Sequence, residues 1–408
     1  MKKIRMMLIC LLFLFVLIIS LPLLLPLNSY KPQLEKRLSA LLQVQVQLEN
    51  IEFVYQPLPV FSLNGIKIDG GAGSIEKIRV PLSAFNLFHY GKSLKNVEVD
   101  GVRLSPSFAF SLPKRFAALE QGRITLGDVL LTKSSVVWDQ NELGPIDGLM
   151  KFAANGAFAD LQLADKQGHI EVHIKPSGEN IRLTMQATSW EIPLGYPVVF
   201  EKLYMSGEGS SAGLLIDDIR GESYGGVLRG KALLTWADDW VLAGQVSVKG
   251  VHTEPFSKVF STTTFVSGRM DGDGLFNYRA KDYLKLFAYP MVDVDFLLRD
   301  GALHNLDLIT QLRSGSPASG RGGQTRFDTL KGKMVFKDST LQLKNLALDA
   351  GKFSAQGAVS IAKAGRLEGG VSARLQSGVL AISNHIRIGG DLSRPALSSG
   401  DAARPTAE

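Results

Sequence analysis

The stretch His169-Ile170-Glu171-Val172-His173-Ile174-Lys175 and, after Ser177-Gly178, its sequel Ile181-Arg182-Leu183-Thr184-Met185-Gln186 decide how this chain is read. Ile170, Val172 and Ile174 alternate with His169, Glu171, His173 and Lys175, and Ile181, Leu183 and Met185 alternate with Arg182, Thr184 and Gln186. Successive side chains of a strand point to opposite faces, so a period of two predicts a pair of strands, each apolar on one face and polar on the other. Ser177-Gly178 supplies the turn between them.

The same pattern recurs outward in both directions. Val44, Val46 and Leu48 alternate with Gln43, Gln45 and Gln47, Ile66 and Ile68 with Lys67 and Asp69, and Val97 and Val99 with Glu98 and Asp100. Val246 and Val248, Leu341 and Leu343, and Leu346 and Leu348 continue it towards the C-terminus. A spacing of about 8–12 residues over this length predicts roughly 20–26 strands. The run has no clear break and no fixed repeat, and it has no long amphipathic helices to cover an apolar face. These features favour an extended sheet over a propeller or a single sandwich. A closed sandwich or barrel core is the competing reading of the same alternation.

Helical pieces are expected to be short: Gln33–Leu42, with Leu34, Leu38, Leu41 and Leu42 on one face at a membrane surface, then 81–90, 113–120, 255–260, 283–289 and 306–312. Residues 314–324 read as a flexible Gly/Ser loop, 271–274 (Asp-Gly-Asp-Gly) as a turn, and 398–408 as a polar, disordered tail.

Met6 to Leu27 contains no charged residue and follows Lys2, Lys3 and Arg5. About 20 apolar residues at ~1.5 Å of rise span a hydrocarbon core of ~30 Å. The run ends in Leu-Pro-Leu-Leu-Leu-Pro-Leu, which offers no small-residue cleavage site, so it reads as an uncleaved anchor with a cytoplasmic N-terminus. The lone cysteine, Cys10, lies inside it, which leaves the rest of the chain without disulfides or thiolate metal sites. The formal net charge of +6 over 408 residues is modest and dispersed, so nucleic acid is not an expected partner.

Catalytic motifs are weak. Gly209-Ser210-Ser211-Ala212-Gly213 fits the G-x-S-x-G string, but a nucleophile elbow needs a helix next, and Leu214-Leu215-Ile216-Asp217 reads as a strand. His169, Glu171 and His173 share a strand face, and no further ligand can be named to complete a metal site. Asp271-Gly272-Asp273-Gly274 lacks the glutamate that would finish a calcium loop. No P-loop and no Rossmann fingerprint is present. The chain is therefore expected to be no enzyme and to take neither cofactor nor metal.

Two groups of segments carry a resemblance. The first is the apolar run followed by Asn28-Ser29-Tyr30-Lys31-Pro32-Gln33-Leu34, Val44-Gln45-Val46-Gln47-Leu48-Glu49-Asn50-Ile51, Ser74-Ile75-Glu76-Lys77-Ile78-Arg79-Val80 and Leu94-Lys95-Asn96-Val97-Glu98-Val99-Asp100-Gly101-Val102-Arg103-Leu104. The second runs from Asp300-Gly301-Ala302-Leu303 and Leu306-Asp307-Leu308 through Thr325-Arg326-Phe327-Asp328-Thr329-Leu330 to Ile388-Gly389-Gly390-Asp391-Leu392-Ser393-Arg394-Pro395. They resemble the AsmA family of inner-membrane-anchored, periplasmic proteins and, through it, the bridge-like lipid transfer proteins. Asn305 stands where a glycine is usual, and 148–268 match by pattern alone.

The expected fold is mainly β, with an N-terminal transmembrane helix and an extended, twisted, mostly antiparallel β-sheet curled into a groove with short helical insertions. Residues 1–5 are expected in the cytoplasm, 6–27 as the anchor, 28–43 as a juxtamembrane helix, 44–300 as a periplasmic groove, 301–397 as an AsmA-like β region and 398–408 as the tail. Ile170, Val172, Ile174, Ile181, Leu183, Met185, Leu341, Leu343, Leu346 and Leu348 are the candidate groove lining. The expected partners are phospholipid acyl chains, the inner membrane, and outer-membrane or periplasmic proteins. The resemblance implies phospholipid transport between inner and outer membranes. The alternative is a structural or chaperone-like factor for outer-membrane protein assembly.

Overall fold

The computed structural model describes residues 26–399 except 56–58, 90–92, 118–124, 139–140, 194–196, 237, 282, 315–317, 320–321 and 378–379. All but the end of the expected anchor lies outside them, and among the described residues no helix is long and apolar enough to cross a membrane. They contain 25 strands. Of these, 23 belong to one mostly antiparallel sheet, and the short strands Ser93–Leu94 and Thr125–Leu126 pair with each other. The helices are α1 (Lys31–Leu42), α2 (Ala84–Phe88), α3 (Pro106–Ala117), α4 (Thr253–Lys258) and α5 (Leu308–Ser314), with short 3-10 turns besides.

The chain divides into two compact units, one built from residues up to Leu183 together with Gly209–Ser211, the other from Thr184–Glu208 and Ala212 onward. In the first, Pro59–Ile68 pairs on one side with Val46–Gln47 and Asn50–Tyr55, and on the other with Gly73–Pro81. Val97–Leu104 and Val129–Trp138 then run parallel, an exception to the antiparallel rule. A parallel pair needs a crossover, and α3 lies in that connection.

The leucine face of the expected juxtamembrane helix packs on the sheet. Leu42 is buried, and Leu34, Leu38 and Leu41 lie against a core of Val46, Leu48, Ile66, Ile68, Leu104 and Phe108. Helix α1 and the 3-10 turn before it, Leu27–Tyr30, also close the sheet's first edge. Val46, Leu48 and Ile51 donate their N–H groups to Ser39 Oγ, Glu35 Oε1 and Asn28 Oδ1 at 2.8–2.9 Å. Open edges recruit foreign strands, so side-chain caps there guard against aggregation.

In the second unit the strands follow chain order from Gly213–Ser223 through Gly226–Thr235, Trp240–His252, Val266–Ala280 and Pro290–His304. The ladder goes on through Gln324–Lys337, Thr340–Ala350, Phe353–Ile361, Leu367–Ser377, Leu380–Asp391 and Arg394–Ser399. Among the described residues no pairing joins this last strand back to Gly213–Ser223.

Several expectations shift. Helix α3 begins at Pro106 rather than near Pro113, because a proline at the first helical position forgoes an N–H that would go unused. Asp271-Gly272-Asp273-Gly274 is the middle of strand Val266–Ala280, not a turn. Ser398 and Ser399, expected in the tail, belong to the last strand, facing Arg387 and Ile386, and 400–408 lie outside the described residues. Within 314–324, Ser314 ends α5, Ala318–Ser319 pairs with Leu397 and Ala396, and Gln324 opens a strand.

Candidate functional site

Directly opposed residues of neighbouring strands share a face, so the register shows where apolar side chains line up across each unit. In the first unit Ile51 faces Leu63, Leu63 faces Ile78, and Ile78 faces Val99. Val99 is beside Leu131, Leu131 faces Gly148, Gly148 faces Leu163, and Leu163 faces Val172. The row crosses eight strands without a polar residue. A second row runs from Val97 through Val129, Met150 and Leu161 to Ile174.

In the second unit a comparable row runs from Ile216 through Ala232, Gly244, Phe276, Val292, Phe336, Leu341 and Ile361 to Leu367. Most of its members are half-buried. The next row contains Val294, Met334, Leu343 and Val359 and ends on Ile388 and Leu397. Gly274 belongs to it because the neighbouring side chain lies over its backbone: a Cβ there would sit 2.5 Å from Val294 Cγ2.

Short elements cover this face on both sides of the half-exposed strip. Phe287, in the 3-10 turn Tyr283–Ala288, packs its ring 5.3 Å from that of Tyr278, and Leu286 beside it is 1% exposed. On the other side α5 sets Leu308 and Leu312 into a core with Leu298, Leu330, Leu348, Phe353 and Ile386.

The candidates Ile170, Val172, Ile174, Leu341, Leu343, Leu346 and Leu348 fall on these faces. Ile170, Val172, Ile174, Leu183 and Met185 are half-buried, and so are Leu341, Leu343 and Leu346, while Ile181 and Leu348 are buried. Ile174 packs against the core beneath α1 and α3. Ile181 is near Phe110 of α3, since a Cβ on Gly209 would meet both. Leu348 is under α5, so it belongs to the covered core rather than to the half-exposed strip.

Leu341 and Leu343 are separated from Leu346 and Leu348 by one residue too many for strict alternation. A bulge at Lys344-Asn345, with Asn345 at φ 51°, absorbs it and returns all four leucines to one face. Phe276, Val292, Met334 and Phe336 were not among the residues read from sequence. In Val266–Ala280 the inward residues Met270, Gly272, Gly274, Phe276 and Tyr278 do alternate with Asp271, Asp273, Leu275 and Asn277. Counting glycine as an inward residue would have revealed the strand.

The opposite face is mostly polar. Arg299 donates to Asp271 Oδ2 and, as the largest influence, holds that carboxyl below its usual range. Lys333 pairs with Asp293 at 2.8 Å, which raises the ammonium's pKa. The face is not polar throughout, however: Leu215 and Leu233 oppose each other and are both about half exposed, at 51% and 47%.

The motif-like strings resolve into plain structure. Gly209–Gly213 is a strand end, a turn and a strand start, whereas a nucleophile elbow needs a helix after the turn. His169 precedes its strand, Glu171 is exposed and His173 half-buried, and no group of three or more potential metal ligands occurs among the described residues. The turn before that strand is set by Asp165, whose Oδ1 accepts from Ile170 N at 2.9 Å, the main reason its carboxyl is held below the usual range. What the arrangement offers chemically is apolar contact without direction. No family model, no curated protein and no solved structure matches this chain.

Proposed function

We propose that this chain shields lipid acyl chains on the apolar face of its sheet and contributes to phospholipid transport between two membranes, held at the inner one by residues 6–27. The observation that carries the reading is the unbroken apolar row across the strands of each unit, half-exposed where no helix covers it. A methylene moved into water costs about 0.8 kcal/mol, so a chain of about 16 carbons faces more than roughly 10 kcal/mol on leaving a bilayer. A row of weak, non-directional contacts replaces that barrier with a surface on which a tail slides. In this reading the curled sheet is an open trough in the periplasm, as the resemblance to AsmA proteins implies. No covalent chemistry or cofactor enters.

A structural or chaperone-like role in outer-membrane assembly is the second reading. It is favoured by the fully buried cores beneath α1 and α3 and beneath α5, which a purely structural protein also needs.

Mass spectrometry of lipids that co-purify with the full chain in mild detergent tests the proposal, combined with a photo-crosslinking residue in place of Leu341 or Val172. Acyl lipid crosslinked at these two positions, and not at exposed Glu171, is the expected result. A lipid-free protein that crosslinks only to other proteins would favour the second reading. A reporter fused after Glu408 should be active only outside the cytoplasm, and a cytoplasmic C-terminus would overturn the proposed location.

A further inference from the structure

Asn86 is only 6% exposed although it lies in the short helix α2. Its Nδ2 donates to Pro81 O at 2.8 Å and to Lys95 O at 3.0 Å, and its Oδ1 accepts from Lys95 N at 2.9 Å. One side chain thus clasps both stems of the connection 82–95. The far stem is pinned again, since Ser93–Leu94 pairs with Thr125–Leu126 and Leu94 O accepts from Gly127 N at 2.7 Å. Within the loop the His89 ring stacks on Phe85 at 4.1 Å, and Lys95 Nζ lies 4.2 Å from the Phe85 centroid. Phe88, by contrast, is 87% exposed. A single apolar residue on a surface is ordinary, so its exposure alone asks for no partner. Its position supplies one.

The chain ahead of the sheet follows the first edge in a fixed direction. Through side-chain hydrogen bonds Ser39 meets Val46, Glu35 meets Leu48 and Asn28 meets Ile51. Read towards the N-terminus, the chain therefore advances along the edge towards Tyr55. Tyr55 faces Pro59, Val60 faces Pro81, and Leu82 N donates to Pro59 O at 2.8 Å. The described chain thus begins towards the same end of the first unit's sheet from which 82–95 projects. The apolar run 6–27 ends at that beginning. Tyr55, 38% exposed, is at this end as well, and Lys95 is exposed. Aromatic rings and lysines are the side chains that settle at the level of lipid headgroups.

We infer that 82–95 is a second membrane contact: Phe88 enters the boundary between headgroups and acyl chains of the bilayer that holds residues 6–27. The inference rests on the anchoring part of the lipid-shielding reading and adds the surface that meets the membrane. One helix alone leaves the attached sheet free to turn about it. A second, clasped point fixes how the sheet stands on the bilayer. Transfer of the ring out of water drives the contact, and Lys95 on the same loop is available to anionic headgroups.

The test uses the full chain with Cys10→Ser, which removes the one native cysteine, and Phe88→Cys labelled with nitrobenzoxadiazole. It is reconstituted into phosphatidylethanolamine vesicles with a minority of phosphatidylglycerol. Quenching by lipid spin-labelled near the carbonyl end of its acyl chain is compared with that of the same label at exposed Glu171→Cys. Position 88 should be quenched at least about threefold more strongly. To separate the loop from the dye, the label is then moved to exposed Ala84→Cys, with and without Phe88→Asp. The aspartate should cut quenching there at least about twofold, with flotation on vesicles unchanged because residues 6–27 are intact.

A chain that floats with vesicles but is quenched equally at 88 and 171 overturns the contact and leaves the anchor standing. So does an aspartate that changes nothing at 84. A chain that does not float overturns the anchor and the contact with it. In whole cells, a photo-crosslinking residue at 88 that captures protein and no lipid puts a protein partner in place of the bilayer and also overturns the inference.

Discussion

Two regions of the second unit use the same strands and the same face to opposite effect. Leu298, Leu330, Leu348, Ala355 and Ala373 lie under or beside α5 and are 2–8% exposed. Further along those strands Val292, Phe336, Leu341 and Ile361 belong to one row and are half-exposed. Residue type does not separate them, since both sets are aliphatic or aromatic. Seven residues of helix do. The comparison teaches that an apolar strand face says how a sheet is oriented, and that only what lies above it says whether the face is a core or a surface.

The most severe way to break the comparison is to insert an alanine after Asn345. The bulge absorbs one extra residue and not two, so the period-two rule then turns Leu346 and Leu348 to the polar face. Loss of both from the covered core should cost more than about 4 kcal/mol and abolish a cooperative thermal transition for the second unit. Asn345→Gly keeps the left-handed conformation available and should leave the transition within about 1 kcal/mol of the parent. Similar melting of the insertion and the parent would contradict the assigned register.

Next comes truncation inside the covered region. Phe353 is 1% exposed, and Phe353→Ala should destabilise by about 3–5 kcal/mol in denaturant titration. Leu341→Ala, in the half-exposed strip, should cost less than about 1.5 kcal/mol, because only part of its transfer energy is at stake. Equal costs at the two positions would mean that the strip is itself a closed core.

Charge placement sharpens the same difference functionally. Leu341→Asp and Val172→Asp put a carboxylate where water can reach it, so far-UV circular dichroism should be unchanged. Captured lipid should fall severalfold, because a sliding tail then meets a charge it must desolvate. Unfolding of either variant would transfer these positions to the covered class.

The smallest effect is on pH dependence. The carboxyl of Asp271 is held below its ordinary value of 3.8, chiefly by Arg299, that of Asp391 chiefly by the Ser393 hydroxyl, and that of Glu254 below 4.5 by Lys258. A lowered folded-state pKa contributes stability that is present above the unfolded value and lost as pH falls through the folded one. Stability should therefore be flat from about pH 5 to about pH 10 and decline below about pH 4. Lys333, raised by Asp293, has the opposite sign: its contribution is complete below 10.5 and is lost at higher pH. Asp271→Asn should slightly flatten the acid limb, and an unchanged limb would remove this pair from the account.

Much of the β architecture is determined by the sequence alone. Alternation such as Ile170-Glu171-Val172-His173-Ile174 commits one face to an apolar environment whatever that environment is, because side-chain direction in a strand is a local property. Turn residues such as Ser177-Gly178 and Asp349-Ala350-Gly351 likewise act over a few bonds, and α1 announced itself by its leucine spacing and Pro32.

The Asp-Gly-Asp-Gly segment misled because its inward positions are glycines, which bear no hydrophobic signature. The parallel pairing of Val97–Leu104 with Val129–Trp138 and the bulge at Asn345 depend on partners distant in sequence. Which apolar residues are sealed and which stay half-open was decided only in the tertiary structure. Burial is a property of where α1, α3 and α5 come to rest. Nothing in the local alternation of Leu341 and Leu348, both leucines on the same strand and the same face, distinguishes the open position from the covered one.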